Sequence, residues 1–208
     1  LGQVLKNHNF PWYGSGLTPE ELSNVVARVC SEFPELDLSE IDFSNYDGTL
    51  SYELRWMEKQ IILRCFDNKY KAAALQALYS SYNHVFKLGK TRYHQRAARG
   101  SGEPGTTVMN TFFHAMVSYI CLREKGHSYM DAYLKLGVMS GDDGINRGVE
   151  EQIMMGLCKR IGLQPKYKAI GPDDPVTFLA RIWPYAQQGQ PGNYADAVRI
   201  FRRFPFTT

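Results

Sequence analysis

The chain has 208 residues, of which 44% are hydrophobic and 13% are aromatic, so it is too apolar to be disordered and long enough for one globular domain. Its formal net charge of +3 is unremarkable. The longest apolar segment, 111–122, is too short to cross a bilayer, and no signal peptide is visible. Four widely spaced cysteines without a C-x-x-C pair disfavour a metal finger or a disulfide framework and favour reduced core thiols.

The first half of the chain is predicted to be mainly helical. A helix begins at Pro19, because Thr18 is a suitable N-cap and Glu21 completes a capping box. A short strand follows at about 36–41 and ends in a turn. Further helices are predicted at about 49–66, 71–82 and 106–124, and the first of these has an apolar face made of Leu50, Leu54, Met57, Ile61 and Cys65.

Strands and helices alternate in the second half. A strand is predicted at 136–140, with 145–148 returning as its hairpin partner, and a later helix ends at Gly162, a suitable residue after a helix C-terminus. The remaining predicted elements are a helix at about 128–135, strands at 163–170 and 176–185, and a basic final helix at 192–204. This alternation without long linkers indicates an α+β or α/β body with one core.

Two carboxylates stand side by side between glycines at 141–144. Asp142 and Asp143 repel each other, so their pairing needs an explanation. One explanation is a solvated hairpin turn, because Asp-Gly is a common turn dipeptide. The other is a divalent cation that both side chains bind.

Two further carboxylates, Asp42 and Asp47, lie at the end of the strand predicted at 36–41. If the two strand ends meet in one sheet, they bring several carboxylates to a single point. Such an all-oxygen site suits Mg²⁺ or Mn²⁺ rather than zinc, which prefers nitrogen and sulfur ligands. Two ions roughly 3.5–4 Å apart can clamp the attacking and leaving oxygens of a phosphoryl displacement.

A glycine-rich loop at 100–105 precedes the long predicted helix. Its glycines permit close backbone approaches, and Thr106 and Asn110 share one helix face. Taken alone, this is an ordinary capped helix start. Beside a carboxylate site, the hydroxyl and amide groups of Ser101, Thr106 and Asn110 could instead bind a sugar hydroxyl.

Residues 68–102 include no acidic side chain. This stretch is either a solvated basic face or a surface for a polyanion such as a nucleic acid. Its cations are Lys69, Lys71, Lys87, Lys90, Arg92, Arg96 and Arg99. The final helix adds Arg199, Arg202 and Arg203, for which the same two interpretations apply.

Five segments occur in the order of palm motifs A to E of viral RNA-dependent RNA polymerases, and the sequence resembles that family over nearly its whole length. The segments are DFSNYD at 42–47, SGEPGTTVMN at 101–110, SGDD at 140–143, GLQPKYK at 162–168 and FLAR at 178–181. The opening WYGSGLTPEELSNVVARV and the closing PGNYADAVRIFRRF resemble most the noda-like branch of positive-strand RNA viruses.

The resemblance implies an α+β fold, a small antiparallel sheet backed by helices. Motifs A to E would occupy about 36–185 as a palm with part of the fingers, and 186–208 would begin the thumb. The implied activity is template-directed RNA synthesis, in which ribonucleoside monophosphates are added to an RNA 3′-hydroxyl by two-metal phosphoryl transfer during viral replication and transcription.

The resemblance also implies roles for individual residues. Asp42 and Asp142 would be the principal ligands of two Mg²⁺ ions, for which Mn²⁺ could substitute, with Asp143 and the carbonyl of Phe43 beside them. Lys166 or Lys168 would protonate the leaving pyrophosphate. The ribonucleotide's 2′-hydroxyl would be recognised by Asp47 and Asn110, supported by Ser101, Gly102 and Thr106. RNA-binding residues would be Arg92, Arg96, Arg99 and Arg181.

The implied partners are an RNA template, the nascent strand and ribonucleoside triphosphates. The expected location is the host cytoplasm at membrane-associated replication sites, with membrane attachment through segments outside this chain. No basic triphosphate-binding finger motif precedes Asp42, little chain follows Arg181 for a thumb, and the sequence opens mid-pattern at Leu1. We therefore expect a fragment of a longer protein, and we expect activity of the full-length protein rather than of this piece alone.

Two alternatives remain at this point. A reverse transcriptase shares the palm carboxylates, but that family usually has a bulky aromatic where a 2′-hydroxyl would lie, whereas this chain has Asp47 and Asn110. A non-catalytic RNA-binding palm would keep the shape without the chemistry. The retention of Asp42, Asp142 and Asp143 argues against that loss.

Overall fold

The computed structural model describes residues 2–7, 10–100, 102–103 and 105–203, with only the backbone of Arg203. Its helices are α1 (Gly2–Asn7), α2 (Pro19–Ser31), α3 (Tyr52–Cys65), α4 (Asn68–Tyr79), α5 (Thr106–Glu124), α6 (Tyr129–Leu134), α7 (Glu151–Ile161) and α8 (Ala197–Arg203). Its strands are β1 (Leu38–Phe43), β2 (Val85–Leu88), β3 (Thr91–His94), β4 (Val138–Ser140), β5 (Asp143–Arg147), β6 (Pro165–Ile170), β7 (Val176–Phe178), β8 (Arg181–Trp183) and β9 (Tyr194–Ala195).

Local signals explain where several helices begin and end. The capping box predicted at the start of α2 is present, with Thr18 and Glu21 each satisfying a backbone N–H of the other. The long helix α5 has the limits predicted for it. At the end of α7, Gly162 has a φ of +84°, a left-handed conformation that glycine adopts at little cost.

A four-stranded antiparallel sheet forms the centre of the fold, in the order β4-β5-β1-β6. The hairpin predicted around 141–144 is present, since Val138 pairs with Ile145 and Ser140 with Asp143. The central strand β1 pairs with β5 on one side and β6 on the other. The end of β1 therefore lies beside the carboxylate turn, although the two are far apart in the sequence.

Two hydrophobic clusters hold this sheet, one on each face. One includes Ile41, Phe43 and Met139 with the buried faces of α5 and α7. The other includes Leu38, Val138 and Ile145 with α2 and the β7–β8 hairpin. Because side chains alternate along a strand, Asp42 projects to the face opposite Ile41, towards β7 and β8.

The predicted apolar face of the helix at 49–66 is partly wrong. Cys65 is exposed, whereas Arg55 and Glu58 are buried together with Leu54, Ile61 and Ile62. Buried charges on this helix reflect ion pairs with a distant segment, which helical periodicity does not reveal. The prediction of core thiols holds for Cys30, Cys121 and Cys158 and fails for Cys65.

The predicted helix at 71–82 begins and ends three residues earlier, as α4. The stretch after it forms an antiparallel hairpin, β2–β3, for which the sequence provided no prediction. Among the helices that the structure describes, none is both long enough and apolar enough to cross a membrane.

Candidate active site

Carboxylates at the ends of two neighbouring strands, β1 and β5, lie at the same end of the central sheet. Ile41 of β1 pairs with Gly144 of β5, so Asp42 and Asp143 lie one residue beyond the same paired position. Asp142 occupies the turn between β4 and β5 directly before Asp143. The sheet register therefore unites the carboxylates of the first and third motifs, as the sequence predicted.

The electrostatics of the turn favour a cation. Burial raises the pKa of Asp142, and the charges of Asp42 and Asp47 raise it further. Burial and then the adjacent charge of Asp142 likewise raise the pKa of Asp143, while the Arg199 guanidinium partly offsets the repulsion. When both carboxylates are ionised, burial and the charge of the neighbouring carboxylates destabilise them, and a bound cation would offset this destabilisation.

Neighbouring elements fix the carboxylate turn. Thr111 of α5 accepts a hydrogen bond at 2.7 Å from the backbone N–H of Gly141. Ser140 shares a 2.8 Å hydrogen bond with Ser15. At Gly144 a Cβ would collide with the buried ring of His114, so only glycine lets β5 pass α5 at this depth. Burial lowers the pKa of His114 to about 3, and the ring is neutral.

A cleft of about 430 Å³ opens beside the carboxylates, between the sheet and the β7–β8 hairpin. Lys166 lies opposite Asp42 in the β1–β6 ladder, with 3.1 Å between its Nζ and the carboxylate Oδ2. Lys168 instead pairs at 3.0 Å with Glu40, whose other oxygen accepts the backbone N–H of Thr177. Arg181 lines the same cleft, where its Nε donates to Asn193.

The residues predicted to recognise a ribose hydroxyl lie together next to this site. The Nδ2 of Asn110 on α5 donates to Oδ1 of Asp47 at 2.9 Å. Gly102 is exposed with a φ of +87°, and the buried Thr106 hydroxyl has no hydrogen-bond partner in the part of the chain that the structure describes. Ser101 lies outside the described residues.

The prediction that Arg99 binds RNA is wrong for this conformation. Its residue exposure is only 6%, and its guanidinium forms an ion pair with Glu58, which is fully buried. Burial lowers the pKa of Arg99 to about 10, which leaves it charged at neutral pH. A side chain enclosed by protein in this way cannot reach a phosphate. The other predicted RNA-binding arginines of the stretch, Arg92 and Arg96, are exposed.

The β2–β3 hairpin presents aromatic and cationic groups to solvent. Phe86 and Tyr93 pair across the strands with stacked rings, whose centroids are 5.5 Å apart. On the opposite face, Lys87 lies directly across from Arg92. Two like charges at one cross-strand position repel each other, so an anion bound there would relieve the repulsion.

The donor set at the carboxylate turn fits divalent cations. Asp42, Asp142 and Asp143 offer the hard oxygen atoms that Mg²⁺ and Mn²⁺ prefer, and burial, followed by the neighbouring carboxylates, raises the pKa of Asp142 and of Asp143. Within the described ranges, no three Asp, Glu, His or Cys side chains already form a metal-binding group. The Lys166 ammonium instead neutralises Asp42.

Sequence reasoning missed two parts of the site. It left Arg199 undecided, although this residue lies near Asp142 and Asp143 and lines the cleft. It also missed the ion pair between Arg55 and Glu58, whose atoms are 3.0 Å apart. Glu58 pairs with Arg99 as well. Opposite charges at i and i+3 on a helix marked as apolar were the available signal for that pair. A larger cavity, about 750 Å³, lies beside these charges.

Solved structures with the same fold belong to polymerases. The chain superimposes on the RNA-dependent RNA polymerase of a human picorbirnavirus with a TM-score of 0.71 and 17% identity, covering 97% of this chain and 39% of that one. An insertion-loop deletion mutant of that enzyme gives a TM-score of 0.72 at 16% identity, with 97% and 40% coverage. The fold is therefore that of a viral polymerase palm with flanking segments.

Sequence comparison identifies the family. The family model described as viral RNA-dependent RNA polymerase matches residues 3–191, and the chain belongs to this family. Its relatives include RNA-directed RNA polymerases of Pariacoto virus, 32% identical over 95% of this chain, and of Flock house virus, 27% identical over 97%. The noda-like resemblance is thereby confirmed. The chain spans about a fifth of these relatives, 21% and 20%.

Proposed function

We propose that this chain forms the catalytic palm of a viral RNA-dependent RNA polymerase and performs template-directed RNA synthesis. Residues 36–185 would hold palm motifs A to E, and 186–208 would begin the thumb. The observation that supports this function best is that Asp42 lies at the same end of the central sheet as Asp142 and Asp143. The family match over residues 3–191 supports it independently.

Two Mg²⁺ ions are the proposed cofactors, with Mn²⁺ as a substitute. Asp42 and Asp142 would be their principal ligands, and Asp143 and the backbone carbonyl of Phe43 would assist. When bound, such ions activate the 3′-hydroxyl and neutralise charge on the triphosphate. The raised pKa values of Asp142 and Asp143 support this assignment, because a divalent cation stabilises the ionised carboxylates.

Recognition of the incoming ribonucleotide is assigned to the group around Asp47. Its carboxylate and the Asn110 amide would bind the 2′-hydroxyl, with Ser101, Gly102 and Thr106 shaping the loop around the sugar. The support is the hydrogen bond between Asp47 and Asn110, which fixes two polar groups beside the carboxylates. The substrate of a reverse transcriptase lacks the 2′-hydroxyl, so such an enzyme would not need this pair.

Lys166 is the proposed proton donor to the leaving pyrophosphate. The sequence left Lys166 and Lys168 as equal candidates, but their neighbours differ. Lys166 contacts the proposed metal ligand Asp42, whereas Lys168 joins β6 to Glu40. Positioning next to the reacting groups is the first requirement for a general acid.

The RNA template and nascent strand are the proposed macromolecular partners. Arg92 and Arg96 would bind phosphates, and the stacked rings of Phe86 and Tyr93 offer a surface for bases, since aromatic platforms with adjacent cations bind single strands. Arg181 would bind the strand that enters the cleft beside the carboxylates.

The proposed location is the host cytoplasm at membrane-associated replication sites, with membrane attachment through segments outside this chain. Membership of the viral RNA-dependent RNA polymerase family, together with the resemblance to the noda-like branch, is the support for this proposal.

RNA synthesis by the full-length protein tests the proposed function. Asp142→Asn should lower nucleotide addition on a primed RNA template by at least about 10³-fold, because it removes a metal-bound charge that contributes several kcal/mol. Asp173→Asn, which changes an exposed carboxylate in a loop, is the matched control and should retain activity.

Each alternative gives a different result in the same assay. Near-normal elongation by Asp142→Asn would contradict the metal assignment. A wild-type protein that binds RNA and adds no nucleotide would be the non-catalytic palm. Preferential addition of deoxyribonucleotides would identify a reverse transcriptase.

A further inference from the structure

Arg99 connects three parts of the proposed ribose-binding group. Its backbone N–H donates to the carbonyl of Asp47 at 2.8 Å. Its guanidinium donates to Oδ1 of Asn110 and, at 3.2 Å, to the backbone carbonyl of Thr106 at the start of α5. One buried arginine therefore contacts the segment after β1 and the first turn of α5.

The contact with Asn110 determines which way its amide points. A carboxamide has one accepting side and one donating side, whereas a guanidinium can only donate. Arg99 therefore holds the oxygen of Asn110, which directs the NH₂ group to Asp47. The reverse orientation would place donors against Arg99 and two oxygens, those of Asn110 and Asp47, against each other.

A buried ion pair with Glu58 of α3 holds Arg99 in place. Glu58 of α3 pairs with Arg99 through one oxygen and with Arg55 through the other, at 3.0 Å in the second case. All three side chains are at most 3% exposed. Arg55 also donates to the carbonyls of Ala97 and Ala98, directly before Arg99. These contacts leave the guanidinium little freedom to turn away from Asn110.

We infer that Arg99 is a positioning residue for sugar selection, which orients the Asn110 amide so that the pair with Asp47 accepts a ribose and disfavours a deoxyribose. This inference rests on the proposed polymerase function. A site with fixed polar groups rejects a substrate that lacks the matching hydroxyl, because those groups remain unpaired. If the amide can rotate, the penalty against the deoxy substrate becomes smaller.

Substitution of Arg99 in the full-length protein tests the inference. Arg99→Lys keeps a positive charge beside Glu58 but replaces the planar fork with a single ammonium group, which cannot hold both partners in the same way. The ratio of kcat/KM for a ribonucleotide to that for its deoxy analogue should fall about tenfold, the value of one hydrogen bond, mainly through a higher KM for the ribonucleotide.

A double mutant separates orientation from folding. If Arg99 acts by orienting Asn110, then adding Arg99→Lys to Asn110→Ala should lower the ratio no further than Asn110→Ala alone. Arg147→Lys is the matched control: Arg147 is also buried and paired with a glutamate, Glu32, and its other hydrogen bonds go to backbone carbonyls of 134–136, so the ratio should stay unchanged. If thermal melting shows that Arg99→Lys is unfolded, Arg99→Met combined with Glu58→Gln, which removes the buried carboxylate together with its partner, replaces it in the same comparison.

The outcomes distinguish this inference from the function beneath it. Wild-type RNA synthesis with an unchanged ratio in the Arg99 variant, or with effects of Arg99 and Asn110 that add, would overturn the inference alone. An equal loss of kcat for both substrates would also overturn it, because it would show a purely structural role. No RNA synthesis by the wild-type protein would overturn the proposed function and the inference with it.

Discussion

Asp143 is a residue at which function and stability conflict. Burial and the neighbouring Asp142 raise its pKa, so the folded chain disfavours the charge that a cation requires. A raised carboxyl pKa stabilises the fold at low pH, and this contribution is lost as pH rises from the unfolded value through the folded one. At neutral pH without a cation, the ionised Asp143 is therefore destabilising.

This conflict predicts that Asp143→Asn melts at a higher temperature than wild type at pH 7 in EDTA. The difference should shrink as the pH is lowered towards the ordinary carboxyl range, because wild-type Asp143 then becomes protonated. Added Mg²⁺ should raise the melting temperature of wild type more than that of the variant. Melting curves of both proteins at several pH values provide the measurement. A variant that is less stable than wild type in EDTA at pH 7 would argue against electrostatic strain at Asp143.

The two lysines of β6 should behave differently when each is replaced. Lys166→Leu removes the proposed proton donor and should lower the rate of nucleotide addition by about 10²–10⁴-fold, the usual contribution of a general acid. Lys168→Leu removes only the exposed pair with Glu40, so its rate should stay close to that of wild type. Single-turnover rates across pH provide the comparison. Equal losses in both variants would exclude a special role for Lys166.

Elements differ in how far the sequence reveals them. The start of α2 and the extent of α5 were predictable, because capping residues and apolar periodicity are local signals. The β2–β3 hairpin was missed because all of its residues are exposed and no buried face imposes an alternating pattern. Arg99 was assigned to the wrong surface because its partner Glu58 lies on the distant helix α3, which charge counting along the sequence cannot identify.

The same contrast holds within the active site. The carboxylate turn was predictable from the position of Asp142 and Asp143 after a predicted strand, whereas the grouping of Asp47 with Asn110 followed from the resemblance to viral polymerases. Which lysine adjoins Asp42 was not predictable, because it depends on the β1–β6 register, and a shift of two residues would place Lys168 opposite Asp42.

At the scale of the hairpin, charge and stacking should have separable effects on RNA binding. Replacing Arg92 and Arg96 with Ala should lower the slope of log K against log salt by about 0.7 for each lost contact with a single strand. Phe86→Ala or Tyr93→Ala should weaken binding by about 1–3 kcal/mol per stacked base and leave that slope unchanged.

A cation elsewhere in the same acid-free stretch provides the control for this experiment. Lys71 lies on α4 and donates to Asn68, so Lys71→Ala should alter the salt slope less than the hairpin substitutions do. Titrations of single-stranded RNA at several salt concentrations supply both quantities. An unchanged slope after removal of Arg92 and Arg96 would mean that the hairpin is only a solvated basic surface.

At the scale of the whole molecule, the fold brings three features together at the end of the central sheet where the carboxylate turn lies. The carboxylates lie at the β4–β5 turn, Asn110 of the proposed ribose-binding pair lies near the start of α5, and the cleft lies under the β7–β8 hairpin on the opposite face. Two hydrophobic clusters support this arrangement from opposite faces. The chain spans about a fifth of the length of its relatives, 21% and 20%, so activity should be measured with the full-length protein.

The position of bound Mn²⁺ would show whether Asp42 and Asp142 hold the catalytic metal ions. Crystals of the full-length protein with RNA, an incoming ribonucleotide and Mn²⁺ would give anomalous scattering peaks at the metal positions. We predict peaks contacting Asp42 and Asp142, with Lys166 displaced from Asp42 by the cation, and loss of those peaks in Asp142→Asn. Anomalous peaks elsewhere, with the Lys166–Asp42 ion pair intact in a protein that elongates RNA, would contradict this prediction.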